Sequence, residues 1–396
     1  MTSAAPHLSR PLSARWRRFA FATLAALSAL VTGCGEADPN TPANSEVLRI
    51  PAGFPRPVIP ADNPVTAAKA ELGRYLFYDR RLSGNETQSC GSCHQQRRAF
   101  TDGRATALGS TGMMHHRSSM ALTNVAYYSV LTWANPLMRT LERQALVPMF
   151  GTDPVELGLA GMDEELLARL RTDARYPGMF RAAFPEARDP ISLDSITKAI
   201  ATFERTLISG DSPYDRFLRG DRGALSPAAL RGKDLFFGER LECYHCHGGF
   251  NFANSVTFEG LQFDETTFHN TGLYNVDGRG AYPSSDTGLM GATNRPEDMG
   301  KFRSPSLRNV ELTAPYMHDG SVATLEEALD HYAAGGRRIA AGPNAGDGHT
   351  SPLRDGFIAG FTLSASERAD VVEFLRALTD RNFINDPRFS DPFGRE

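Results

Sequence analysis

Two short stretches carry the most specific chemistry in the chain: Cys90-Gly91-Ser92-Cys93-His94 and Cys243-Tyr244-His245-Cys246-His247. Each reads Cys-x-x-Cys-His. Two thiols at this spacing add across the vinyl groups of a haem, and the histidine that follows supplies the proximal nitrogen to iron. Zinc would need four ligands gathered from close Cys pairs. A thioredoxin-type pair would need a βαβ setting, which the sequence lacks. Cys90, Cys93 and His94 are therefore assigned to one c-type haem, and Cys243, Cys246 and His247 to a second. His245 reads as a spacer. The sixth position on each iron decides function: an open site binds peroxide or oxygen, whereas a filled one passes electrons.

The elements that position these motifs are helical and repeated. Residues 73–82, "GRYLFYDRRL", and 232–241, "GKDLFFGERL", share one pattern, and both lead into a Cys-x-x-Cys-His. Two similar modules, each with a helix feeding its motif, are the simplest account. Ser226-Pro227 reads as an N-cap with Pro at the first helical position. Thr324 to Glu327 and Ser364 to Glu367 read as capping boxes. Residues 192–209 are apolar at helical spacing. Strand signals are few, and the glycine-rich segment 335–360 reads as a long irregular surface loop.

The chain has 396 residues, enough for two domains. Its net charge of -4 suggests no nucleic-acid partner. Arg10, Arg15, Arg17 and Arg18 precede a short apolar run that ends in Val31-Thr32-Gly33-Cys34, a signal peptide with a lipobox. This predicts export to the periplasm as a lipoprotein that meets the membrane only through a lipid on Cys34. Of the five cysteines, none is then left for a disulfide. The expected organisation is 1–34 signal, 35–62 tether, 63–215 N-terminal domain and 216–396 C-terminal domain.

The order of the first motif, Trp133, "LERQALVP" (141–148), the second motif and "SPSLRNVELTAPYMHDG" (304–320) resembles the bacterial dihaem cytochrome c peroxidase family, MauG included, over residues 63–380. The resemblance implies a mainly α fold of two c-type cytochrome domains, each with one covalent haem, joined around an inter-haem interface. It implies that Tyr332 closes the His247 haem, where ordinary peroxidases have Met. Leu325, Ala328, Leu329 and Tyr332 share one helical face. His331 lies off that face, and Met317 and His318 are loop rivals. At the His94 haem, the resemblance gives Gln144 and Glu156 as the groups that meet hydrogen peroxide, with Glu156 moving its proton. His115 and His116 look displaced from the family's blocking histidine, so this haem is expected to stay open. Trp133 matches the relay between the haems. Calcium, held partly by the carbonyls of Thr313 and Pro315, is implied as well, although Ser118 stands where the family has Asn.

The resulting expectation is a peroxide-dependent oxidoreductase that oxidises a side chain of an exported partner protein. The similarity to methanobactin-associated enzymes suggests Trp to kynurenine. The alternatives are an ordinary cytochrome c peroxidase, fed by a small cytochrome or copper protein, and a non-enzymatic electron carrier. The arginines of 335–360 (Arg337, Arg338, Arg354) suggest a docking loop for the partner.

Overall fold

The computed structural model describes residues 44–394, which belong to one compact unit. The signal, Cys34 and the first part of the tether lie outside the described residues. In chain order the helices are α1 (Asn44–Leu48), α2 (Ala67–Tyr78), α3 (Cys90–Cys93), α4 (Leu141–Phe150), α5 (Asp163–Arg171), α6 (Tyr176–Ala183), α7 (Leu193–Arg205) and α8 (Pro213–Leu218). There follow α9 (Pro227–Phe236), α10 (Cys243–Cys246), α11 (Met290–Thr293), α12 (Leu325–Ala333) and α13 (Ala365–Arg376). The sheet among the described residues is one antiparallel pair, β1 (Arg338–Ile339) with β2 (Gly346–Asp347). The fold is mainly α, as the helical periodicity predicts.

The sequence repeat is a repeat of packing. In the first module α2 crosses α7, and in the second α9 crosses α13. Glycine stands at each crossing. A Cβ on Gly73 would lie 1.9 Å from the Ala199 carbonyl oxygen, and one on Gly232 would lie 1.9 Å from that of Asp370. Both crossings therefore bring backbone against backbone, which no larger residue permits. Beyond each glycine the shared Leu-Phe pair turns inward. Phe77 sits in the N-terminal core and Phe236 in the C-terminal core, both almost fully buried.

Helix starts fall where the capping signals place them. The hydroxyls of Ser192, Ser226, Thr324 and Ser364 each accept a first-turn N–H. No described helix is long and apolar enough to cross a membrane.

Two regions differ from the sequence reading. The described part of the segment read as a tether is seated on the body. Leu48 is 2% exposed and packs with Val65, Tyr127 and Ile208, and the Tyr127 hydroxyl donates to the Pro55 carbonyl at 2.9 Å. Its proline-rich composition concealed isolated apolar anchors. The segment 335–360 is likewise folded rather than irregular. It forms the β1–β2 hairpin and closes against 270–275, with Arg337 N–H donating to Gly272 at 2.9 Å and Asp355 N–H to Asn270 at 2.8 Å. Strands of two residues are too short to leave an alternating pattern.

The modules are joined by a buried polar network. Asn309 Nδ2 donates to Ser209 Oγ at 3.0 Å, and Asp380 accepts from Ser209, Gly210 and Asp211. The chain end then returns to the N-terminal module. Phe383 and Phe389 are 3% and 2% exposed in its core, and the Tyr78 hydroxyl donates to the Phe389 carbonyl at 2.7 Å.

Candidate haem sites

Each Cys-x-x-Cys-His forms one helical turn on the wall of its own cavity. The two histidines are finished alike. His94 Nδ1–H donates to the Phe100 carbonyl at 2.8 Å, and His247 Nδ1–H donates to that of Phe252 at 3.2 Å. A proton held on Nδ1 in this way makes Nε2 the ligand atom. Burial lowers both imidazole pKa values, His247 to about 4, so both rings are neutral donors. Burial also raises the thiols, with Cys93 and Cys243 reaching about 12. The four motif cysteines form no disulfide.

The middle residues of the motifs differ for a packing reason. A Cβ on Gly91 would meet the Tyr78 ring at 2.4 Å. In the second motif Tyr244 and His245 face outward: His245 pairs with Glu242 at 2.5 Å and stacks on Phe357, with ring centroids 4.2 Å apart.

The first cavity is bordered by Cys90, Cys93 and His94 together with Gln144 and Glu156. Gln144 and Pro148 share a face of α4, one turn apart. Glu156 is held from both sides: Ser110 N–H donates to its carbonyl at 2.7 Å, and Leu157 N–H donates to Pro148 at 2.8 Å. The loop 107–117 that supplies Ser110 also carries His115 into this cavity, with Nε2 3.5 Å from the Glu156 carboxylate. This differs from the displacement read from the sequence. His116 is exposed. Spacing along a loop does not reveal that its backbone folds back, with His115 N–H donating to Ala107 at 2.8 Å.

The second cavity is bordered by Cys243, Cys246 and His247, and across from them by Leu325, Ala328, Leu329 and Tyr332 of α12. His331 points elsewhere, donating Nε2–H to the Thr271 carbonyl at 3.0 Å. Burial, followed by the neighbouring Cys246 and Cys243, raises the Tyr332 phenol far above its usual range. Only a strong cation beside the oxygen would draw off that proton. Met317 and His318 also border the cavity. His318 is stacked on Phe302 at 3.7 Å, and burial lowers its pKa to about 4. Trp133, Thr313 and Pro315 line this same cavity, and Trp133 Nε1–H donates to the Ser118 carbonyl at 3.0 Å. Trp133 is not among the residues that border the first cavity.

Three site residues had no sequence signal. Arg303 is 2% exposed, borders the second cavity and has no carboxylate partner among the described residues. A buried guanidinium of this kind calls for an anion, and the carboxylates of a haem fit it. His269 borders the same cavity. Burial opposes its charge, but the 2.6 Å bond to Asp355 prevails and lifts its pKa to about 9. Glu204 borders the first cavity. Each is recognised by neighbours distant in the chain, which no local motif encodes.

Two Cys-x-x-Cys-His turns, two neutral imidazoles and two separate cavities define a dihaem c-type cytochrome. Comparisons agree. The family model for di-haem cytochrome c peroxidase matches residues 67–223. The chain is 35% identical to the cytochrome-c peroxidase IdrP1 of Denitromonas iodatirespirans, covering 83% of this chain and 87% of that one. It is 33% identical to the methylamine utilization protein MauG of Methylorubrum extorquens, covering 88% and 90%. A solved MauG-like protein associated with microbial copper homeostasis superposes with a TM-score of 0.85 at 52% identity, covering 87% and 98%. The diheme peroxidase BthA of Burkholderia thailandensis shares the fold, with a TM-score of 0.63 at 21% identity. The chain belongs to the di-haem cytochrome c peroxidase and MauG family, and is a peroxidase-type haem oxidoreductase.

Proposed function

We propose that this chain is a MauG-like enzyme that uses hydrogen peroxide to oxidise a side chain of an exported partner protein. The observation that carries this reading is the α12 face that turns Tyr332, and not His331, into the His247 cavity. A phenol oxygen is a hard donor that favours oxidised iron. Residues 63–215 and 216–396 are taken as the two haem domains.

The bound haems supply the redox chemistry. The protein's own part is acid–base work and positioning. Glu156 takes the proton from the near oxygen of peroxide and returns it to the far one, while Gln144 orients the molecule by its amide. Trp133 lies beside the second cavity and is assigned the relay between the two sites. Calcium held by Thr313 and Pro315 would stiffen that junction, and its removal by a chelator should then alter the haem spectra. The solved relative associated with copper homeostasis supports a copper-handling partner, with Trp to kynurenine as the conversion to look for by mass spectrometry after peroxide treatment. The segment 335–360 is assigned to docking that partner. A lipid on Cys34 would tether the enzyme in the periplasm, and Cys34→Ser should release it from the membrane fraction.

EPR of the ferric holoprotein tests the central point. Wild type should give one high-spin and one low-spin signal, and Tyr332→Phe should change only the low-spin one. If that variant changes neither, the reading fails.

A second reading, the ordinary cytochrome c peroxidase, is favoured by the position of His115 in the first cavity. It predicts a resting His94 haem that is low-spin, becomes high-spin in His115→Ala, and turns over with reduced cytochrome c. The approach of His115 to Glu156 instead supports the open resting site.

A further inference from the structure

Glu204 stands on α7 one turn beyond Ile200, and both side chains border the His94 cavity. The residue is 6% exposed, and its Oε2 has no hydrogen-bond partner among the described residues. The adjacent cation does not serve it. Arg205 is committed to Glu142, at 2.7 and 3.0 Å. The other ionisable groups that act on it or respond to it, Glu142 and Cys90, carry no positive charge. A carboxylate so placed is far less costly as the neutral acid. Burial accordingly pushes Glu204 up to about 8. A neutral carboxyl is a donor as well as an acceptor, and here the cavity is where an acceptor can stand.

We propose that Glu204 is a second acid of the His94 cavity beside Glu156, a neutral carboxyl that donates its O–H to an oxygen of whatever fills that cavity. That oxygen belongs either to a haem carboxylate or to an exogenous ligand such as water or peroxide. The inference needs only that this cavity holds a haem, so it stands or falls independently of Tyr332 and of the partner protein.

The test uses holoprotein with two haems per chain, in wild type, Glu204→Gln and Glu204→Leu. Redox-difference infrared spectra of wild type should contain a protonated-carboxyl C=O band that shifts in D2O and is missing from both variants. If the acceptor is an exogenous ligand, fluoride affinity at the ferric His94 haem should fall about tenfold in Glu204→Leu and hold in Glu204→Gln, which keeps a donor. If it is a haem carboxylate, fluoride affinity should hold, while the carboxylate bending mode in the resonance Raman spectrum shifts in Glu204→Leu. Absence of the infrared band from wild type, its survival in Glu204→Gln, or failure of both fluoride and Raman readouts to respond would overturn the proposal. Should Glu204→Leu not fold, the isosteric Gln variant decides the matter through the infrared band alone.

Discussion

The carboxyl of Glu156 is the residue on which the assigned chemistry turns, and its position is set by backbone, not by charge. Ser110 and Pro148 hold the chain on either side of it, so Glu156→Gln should leave the haem spectra intact. Its effect belongs in single-turnover reaction with peroxide, where loss of a general acid–base slows the rate by about 10²–10⁴. Arg308 and Asp215 offer a contrasting case, a pair with no part in that reaction. Both are almost wholly buried, joined at 2.9 and 3.0 Å, and Arg308 also donates to the Phe250 carbonyl. Removing one partner by Arg308→Met strands the other, at a cost of about 3–5 kcal/mol in denaturant unfolding. Burial would raise the Asp215 pKa, but the Arg308 charge and bonds hold it below the ordinary 3.8. The folded value is depressed, so the pair's contribution is complete above 3.8 and is lost as pH falls through the lower folded value. Wild type should therefore lose more stability than Arg308→Met between neutral and strongly acid pH.

At the scale of elements, the two helix crossings make a paired prediction. Gly73→Ala and Gly232→Ala each place a methyl 1.9 Å from a carbonyl oxygen of the facing helix, so α2 must move off α7, or α9 off α13. Overpacking of this kind costs about 1–3 kcal/mol, read as a lower Tm. The haem perturbed should be that of the altered module. Much of this was legible in the sequence. The repeat, the caps and the α12 face are local patterns, and helices obey local patterns. The role of the repeated glycine was not legible, because its contact lies more than a hundred residues away. Glu204, His269 and Arg303 escaped for the same reason, as did the entry of His115 into the first cavity: each gains its meaning from partners that only folding supplies. The hairpin of 335–360 was hidden by its brevity, and the seat of Leu48 by the prolines around it.

At the scale of the molecule, the two modules are not independent beads. The Asn309–Ser209–Asp380 network joins them, and Arg117 of the His115 loop reaches Asp286 with two bonds of 2.7 Å. The return of the chain end makes the dependence directional. Phe383→Ala should cost about 3–5 kcal/mol and disturb the spectrum of the His94 haem before that of the His247 haem, although residue 383 follows the second motif by well over a hundred positions. Synthesis delivers a chain from its N-terminal side onward. The module made first thus waits for Phe383 and Phe389, aromatic pieces of its interior that follow the second attachment motif in the chain. Through that interval the core against which Cys90 packs lacks two of its buried rings. The segment 383–389 then acts as a closing seal on that module, and it lies beyond both attachment motifs in the chain.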